Sequence, residues 1–275
     1  MTCQSREPSL AAHNHMKRRA AAEPSDGPAS PGKALVVWDF DWSLINENSD
    51  TYVIEELDTS GEVMDAVEGK EGAGEGWTAL MDWAVGELHA RGHAPQALRE
   101  ALSNVPVLSG ALEAVAAAQE AGAEQRILSD ANNVYIATVL QARGLEGAFA
   151  HVETNPAEFD DAGRLHIRPH QPADTPHACP LCPPNLCKGA VIERWLDELK
   201  TTRCVYVGDG GGDFCPATRL RMGDTLCARQ APHNALLRKC RKEPSRVRAR
   251  VVEWGGSKDA AGAALREGVA QGVIL

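Results

Sequence analysis

Ala34-Leu35-Val36-Val37-Trp38-Asp39-Phe40-Asp41-Trp42-Ser43 is the stretch that decides the fold. Five apolar, β-favouring residues run unbroken and then stop at two aspartates. An unbroken apolar run, in place of an alternating one, is what a strand covered on both faces of a parallel sheet requires. Two further runs obey the same rule: Gln125-Arg126-Ile127-Leu128 ends at Ser129-Asp130, and Cys204-Val205-Tyr206-Val207 ends at Gly208-Asp209. Helical patterns lie between them, over Ser109–Ala121, Asn133–Arg143 and Gly189–Lys200. Strand, polar loop and helix in repetition predict an α/β fold with a doubly wound, mostly parallel sheet. Ligands bind such sheets outside the carboxyl ends of the strands, which is where all three runs place their polar residues.

Working outward, residues 48–107 form an insert too long for a plain crossover. It holds helix-like pieces at Thr51–Leu57, Trp77–Ala90 and Pro95–Ser103, broken by the Gly-rich stretch Gly69–Gly76. This reads as a small helical cap over the strand ends, able to exclude water and select substrates. The α/β core would then comprise residues 34–47 and 108–275. A second excursion, Phe149–His170, predicts a β-hairpin turning at Asp161-Ala162-Gly163. Residues 1–33 are rich in Ala, Ser and Pro without periodicity and read as a disordered tail. They lack the apolar centre of a secretory signal. Some Arg and Ser suit an organelle-targeting peptide, but Glu7, Glu23 and Asp26 weigh against one.

The chain has 275 residues, 43% hydrophobic and 24% charged, with a formal net charge of -10. That charge argues against a nucleic-acid partner, because phosphate backbones need clustered Lys and Arg. No run approaches the roughly 18 apolar residues that span a bilayer, so no membrane partner is expected. Eight cysteines without a secretory signal suggest a reduced, cytoplasmic setting. The expected partner is a small phosphorylated metabolite.

Four sequence elements carry that expectation. Asp39 and Asp41, two residues apart in a strand-end loop, can enter one pocket. One can attack phosphorus, and the other can protonate the leaving oxygen and then activate water. Ser43 can donate a hydrogen bond to the transferring group. Ser129 offers a hydroxyl beside a helix start, which suits a phosphate oxygen, although capping of that helix by Ser129 or Asp130 accounts for the same residues. Lys188 can neutralise phosphate or Asp39. Gly208-Asp209-Gly210-Gly211-Gly212-Asp213-Phe214 lets the backbone turn sharply and offers Asp209 and Asp213 as hard oxygen ligands for Mg²⁺. Charge balance joins the four. A phosphomonoester brings roughly -1.5 to -2 to a pocket already holding several carboxylates, and Mg²⁺ with Lys188 would offset them.

This order of motifs resembles the haloacid-dehalogenase superfamily, whose core is Rossmann-like, and the position of the insert resembles its helical-cap (C1) subclass. Asn48-Ser49-Asp50, Leu128-Ser129-Asp130-Ala131-Asn132, Cys182-Pro183-Pro184-Asn185-Leu186-Cys187-Lys188 and Gly208-Asp209 to Asp213-Phe214-Cys215-Pro216 resemble the phosphoethanolamine/phosphocholine phosphatase family. The likeness runs from Leu35 to Trp254. Trp77-Thr78-Ala79-Leu80-Met81-Asp82, with Glu87-Leu88-His89, looks more like its plant members, some of which are described as pyrophosphatases. The resemblance implies Asp39 as nucleophile, Asp41 as acid/base, and Mg²⁺ on Asp39, the Asp41 carbonyl and Asp209. It further implies that Asp50 and Asp130 meet a cationic amine on the substrate. Gly212 replaces a frequent Asn, as in the plant pattern, and Ser43 replaces a frequent Thr while keeping the hydroxyl. The expected function is Mg²⁺-dependent hydrolysis of phosphoethanolamine or phosphocholine. Inorganic pyrophosphate and pyridoxal 5′-phosphate are the alternative substrates. A non-catalytic phosphate or metal sensor is the alternative of another class, disfavoured because Asp39 and Asp41 are both present.

His177-Ala178-Cys179-Pro180-Leu181-Cys182, followed by Cys187, has the spacing of a zinc or redox site. A turn with reduced thiols that positions Lys188 accounts for the same run.

Overall fold

A six-stranded sheet in the order β3-β2-β1-β6-β7-β8 carries the chain, with every neighbouring pair parallel. Its strands are β1 (Leu35–Trp38), β2 (Glu124–Asn132), β3 (His151–Asn155), β6 (Cys204–Gly208), β7 (Thr225–Arg229) and β8 (Arg250–Trp254). The computed structural model describes residues 33–71, 76–172, 174–255 and 258–274. The predicted disordered tail lies, but for Lys33, outside the described residues, as does half of the Gly-rich break, residues 72–75.

β1 shows why its sequence is unbroken. Val36 and Trp38 enter the core on one face of the sheet, Leu35 and Val37 the core on the other, and all four are fully buried. Each such side chain contributes about 1.5–3 kcal/mol by burial. The first face is covered by α5 (Ser109–Glu120), α6 (Asn133–Ala142) and α10 (Lys258–Ile274), and the second by α7 (Lys188–Leu199), α8 (Phe214–Ala217) and α9 (Ala235–Lys242). Helices α5 and α10 cross where a Cβ on Gly110 would fall 1.8 Å from the Gly262 Cα, so only glycine permits that approach. The buried polar strand residue Gln125 is matched on both sides: it accepts from Trp38 Nε1 at 3.0 Å and donates to the Val115 carbonyl at 3.1 Å.

From β1 the chain winds through β2 to β3 on one side, then crosses to β6 on the other. The crevice between β1 and β6 is therefore the topological switch point, where such sheets take their ligands. The insert is helical: α1 (Ser49–Leu57), α2 (Glu62–Glu71), α3 (Trp77–Ala90) and α4 (Pro95–Ser103). The second excursion divides. Residues 151–155 form β3, an edge strand of the main sheet, and only β4 (Ala157–Phe159) and β5 (Leu165–Ile167) pair as an antiparallel hairpin. That hairpin ties to the insert through Asp82 of α3, which pairs with Arg164 at 3.0 Å and accepts from the Ile167 N–H at 2.7 Å. Among the described residues no helix is long and apolar enough to cross a membrane.

Candidate active site

A cavity of about 230 Å³ opens at the β1–β6 crevice, lined by Asp39, Asp41, Trp42, Asn48, Asp50, Trp77, Asp130, Lys188 and residues 209–213. β1 delivers Asp39 at its carboxyl end, where its N–H bonds the Val207 carbonyl at 2.9 Å. The chain then turns through a short π-turn, Phe40–Leu44, in which Trp42 takes a left-handed conformation (φ 56°). That conformation is unusual for a bulky residue. It is held by Arg229 of β7, whose guanidinium donates to the Trp42 carbonyl and to Asn46 Oδ1.

Lys188, the first residue of α7, is the hub. Its Nζ stands 2.8 Å from Asp39 Oδ1, 3.0 Å from Asp213 Oδ1 and 3.7 Å from Asp130 Oδ1. Asp213 receives four donors: Lys188 Nζ, Tyr206 Oη at 2.7 Å, and the N–H groups of Asp209 and Gly210 at 3.1 and 2.9 Å. Burial works against its charge, but Lys188 and Tyr206 prevail and hold it below the ordinary carboxylate range. Gly208 makes this packing possible, since a Cβ there would sit 2.7 Å from Asp213 Oδ2.

Both predicted hydroxyls are buried but do not line the cavity. Ser43 donates to Asp209 Oδ1 at 3.4 Å, and Ser129 accepts from the Ala131 N–H at 3.2 Å. Strand β2 runs on past Ser129 to Asn132, and Asn132, not Ser129 or Asp130, caps α6 by accepting from Val134 and Tyr135. Asp41 Oδ1 accepts from the Ser49 N–H at 2.8 Å, at the start of α1. Asp50 Oδ2 accepts from Trp77 Nε1 at 2.8 Å, joining α1 to α3.

Residues 34–266 match the model of the family described as "Putative Phosphatase". The chain belongs to this family. The phosphatase is 34% identical over 236 residues to a thiamine phosphate phosphatase-like protein of Arabidopsis thaliana, covering 82% of this chain and 92% of that one. It is 32% identical over 240 residues to inorganic pyrophosphatase 2 of the same organism, covering 84% and 82%. Its fold is shared with the phospho-aspartyl intermediate analogue of phosphoserine phosphatase, at a TM-score of 0.52 and 14% identity, covering 81% and 93%. Membership in this family makes it a phosphatase, and its fold is one that haloacid-dehalogenase hydrolases share.

The phosphatase has an excess of buried acid. Burial and then Asp213 drive Asp39 well above the ordinary carboxylate range, against the pull of Lys188. Burial and Asp213 push Asp209 up to about 8. Burial and neighbouring Asp50 push Asp41 up to about 8, and burial pushes Asp50 up to about 7. Carboxylate oxygens of Asp39, Asp209 and Asp213 lie within 4.8 Å of one another. A hard divalent cation fits this donor set, and its charge would favour the ionised carboxylates. Of the three, Asp213 has both oxygens occupied by donors, which suits it to hold Lys188 and the glycine loop in place.

Four residues of this site escaped the sequence reading: Trp42, Trp77, Tyr206 and Arg229. Trp42 stacks on His233 at 3.5 Å between ring centroids, and the Arg229 guanidinium stands 5.6 Å from the Trp42 ring and 5.2 Å from the Trp254 ring. Only the tryptophan at Trp42, between two aspartates and a serine, could have signalled itself from the sequence. Four cysteines converge elsewhere: the sulfurs of Cys179, Cys182 and Cys187 meet that of Cys215, while the His177 ring accepts from the Cys179 N–H and is not part of that group.

Proposed function

We propose that this phosphatase hydrolyses small phosphomonoesters whose alcohol carries a cationic nitrogen, with phosphoethanolamine and phosphocholine preferred. The observation that carries the reading is Asp50, a buried carboxylate in the same cavity as Asp39 and Lys188, with Asp130 and the rings of Trp42 and Trp77 around it. Burial holds Asp50 near 7, so a cationic head group would be its natural counter-charge. Carboxylates and aromatic faces together form a common receptor for ammonium groups. A thiamine phosphate ester, suggested by the name of one relative, belongs to the same cationic class.

The chemistry follows from the floor. Asp39 attacks phosphorus, so that a carboxylate O–P bond forms as the ester O–P bond breaks. Asp41 gives its proton to the departing alcohol oxygen, a task suited by its raised pKa. The resulting carboxylate then takes a proton from the water that attacks the aspartyl-phosphate, and Asp39 is regenerated as phosphate leaves. Lys188 stays within reach of both Asp39 and the incoming phosphate. Asp39, Asp209 and the Asp41 carbonyl would hold Mg²⁺, which when bound supplies positive charge against the phosphoryl oxygens. The helices α1–α4 act as the cap, excluding water and presenting Asp50 and Trp77.

Pyrophosphate is the second reading, favoured by the likeness to a pyrophosphatase. It would use the same floor but bring no cation to Asp50 and Asp130. Phosphate release with Mg²⁺ should be measured side by side on phosphoethanolamine, phosphocholine, thiamine phosphate, pyrophosphate and pyridoxal 5′-phosphate, with Asp39→Asn as control. Preference for the cationic esters is the expected result, and preference for pyrophosphate would overturn the substrate assignment while keeping the mechanism.

A further inference from the structure

We propose that Cys179, Cys182, Cys187 and Cys215 hold one structural zinc ion beside the active site. The four sulfurs all lie within 4.8 Å of one another. Cys215 Sγ is 3.6 Å from Cys179 Sγ and 4.0 Å from Cys187 Sγ. Four sulfurs placed tetrahedrally at about 2.3 Å from zinc are about 3.8 Å apart, so these separations match the edge of a zinc–thiolate site. They are far longer than the roughly 2.05 Å of a disulfide, and the four cysteines are free.

The first turn of α7 packs directly against these sulfurs: a Cβ on Gly189 would stand 2.5 Å from Cys215 Sγ, so glycine is required for the close fit. His177, a candidate ligand by spacing, is engaged otherwise. Its Nε2 donates to the Pro183 carbonyl at 2.9 Å and its Nδ1 accepts from the Cys179 N–H at 3.2 Å. The sequence supplied three of the ligands; the fourth, 28 residues beyond Cys187, is brought in by the fold.

The ligand positions give the ion its task. Cys187 immediately precedes Lys188, and Cys215 lies two residues past Asp213. Zinc would therefore cross-link the two segments whose 3.0 Å ion pair anchors the active-site floor. The same loop reaches the insert, where Asn185 donates to Thr78 Oγ1 at 3.2 Å. Binding releases the thiol protons and involves no redox step.

The test is metal analysis and native mass spectrometry of the full chain, purified under reducing conditions without chelator. We expect about one zinc per chain. It should persist in Asp209→Asn, which impairs the carboxylate site, and in His177→Ala, and fall to a small fraction in Cys215→Ser. Reconstitution with Co²⁺ should give the thiolate-to-cobalt charge-transfer band of a tetrahedral sulfur site, readable in the wild-type chain even if the cysteine variant fails to fold. Absence of both zinc and the cobalt band, iron in place of zinc, or zinc retained in Cys215→Ser but lost in His177→Ala would overturn the assignment. None of these readouts depends on phosphatase activity.

Discussion

At the sheet end of the cavity, Asp213 has both oxygens filled by four donors, and Lys188 touches three carboxylates. At the insert end, Asp50 is fixed by an indole N–H of the insert's own α3, and Asp130 is 63% exposed. The floor is held by strand ends and a glycine loop, elements that cannot shift without disturbing the sheet. The mouth is held by side chains: Asp50 of α1 and Trp77 of α3, with the exposed Asp130 reaching it from β2, and α3 is tied to the hairpin through Asp82. Rigid backbone placement suits groups that must meet a reacting phosphorus atom, since small displacements there are costly. Looser side-chain placement suits groups that choose among alcohols. Chemistry should therefore fail uniformly when the floor is altered, and selectively when the mouth is.

The strongest way to break this contrast is Asp39→Asn. Phosphate release should drop by about 10⁴-fold or more on every substrate, as removal of a nucleophile does, and EDTA should reproduce the loss. Substantial activity surviving in the variant would remove Asp39 as nucleophile. Next in size is Asp41→Asn, expected to cost about 10²–10⁴-fold. Because Asp41 must carry a proton to act as the acid, and burial with Asp50 pushes it up to about 8, kcat should decline as pH rises through that range. The decline should be absent in Asp41→Asn, and an unchanged alkaline limb there would assign it to another group.

How much of this contrast could be read from the sequence follows from the same physics. The charged members of the floor were legible because Asp39, Lys188, Asp209 and Asp213 sit just past a strand or at the start of a helix, where local pattern fixes position. Asp39, Lys188 and Asp209 line one cavity. β7 and β8 were not read as strands, because Thr225–Arg229 and Arg250–Trp254 mix charged ends with short apolar centres. β3 was absorbed into the hairpin because its residues are only half-buried at the sheet edge. Ser43 and Ser129 were assigned to phosphate on residue type, but the fold turns one hydroxyl to Asp209 and the other to the local backbone. Tyr206 and Arg229 act across long separations, and a strand pattern does not distinguish a buried phenol that packs from one that bonds.

Moving to the mouth, Asp50→Asn and Asp130→Ala should lower kcat/KM for phosphoethanolamine and phosphocholine by about ten- to a hundredfold, the worth of a hydrogen bond to a charged group. Pyrophosphate should be little affected. Equal losses on both classes, measured in parallel assays, would place these carboxylates in the general machinery and erase the division between floor and mouth.

The smallest effect expected is also the sharpest test of the floor's rigidity. Tyr206→Phe removes one of four donors to Asp213 and leaves the Lys188 pair in place. Stability should fall by about 1–2 kcal/mol, a shift of a few degrees in Tm for a chain of this size, while kcat changes only a few-fold. The deficit should depend on pH in a definite direction. Asp213 is held below the ordinary carboxylate range by Lys188 and Tyr206 acting against its burial. A depressed carboxyl stabilises the fold above its unfolded value, and that contribution is lost as pH falls through the depressed value. The gap between Tyr206→Phe and the parent should thus be full near neutrality and narrow on acidification, as Asp213 takes up its proton in both. Thermal melts across that range decide it: a gap that stays constant would mean the phenol merely fills space, and the floor would owe its rigidity to packing, not to the donors on Asp213.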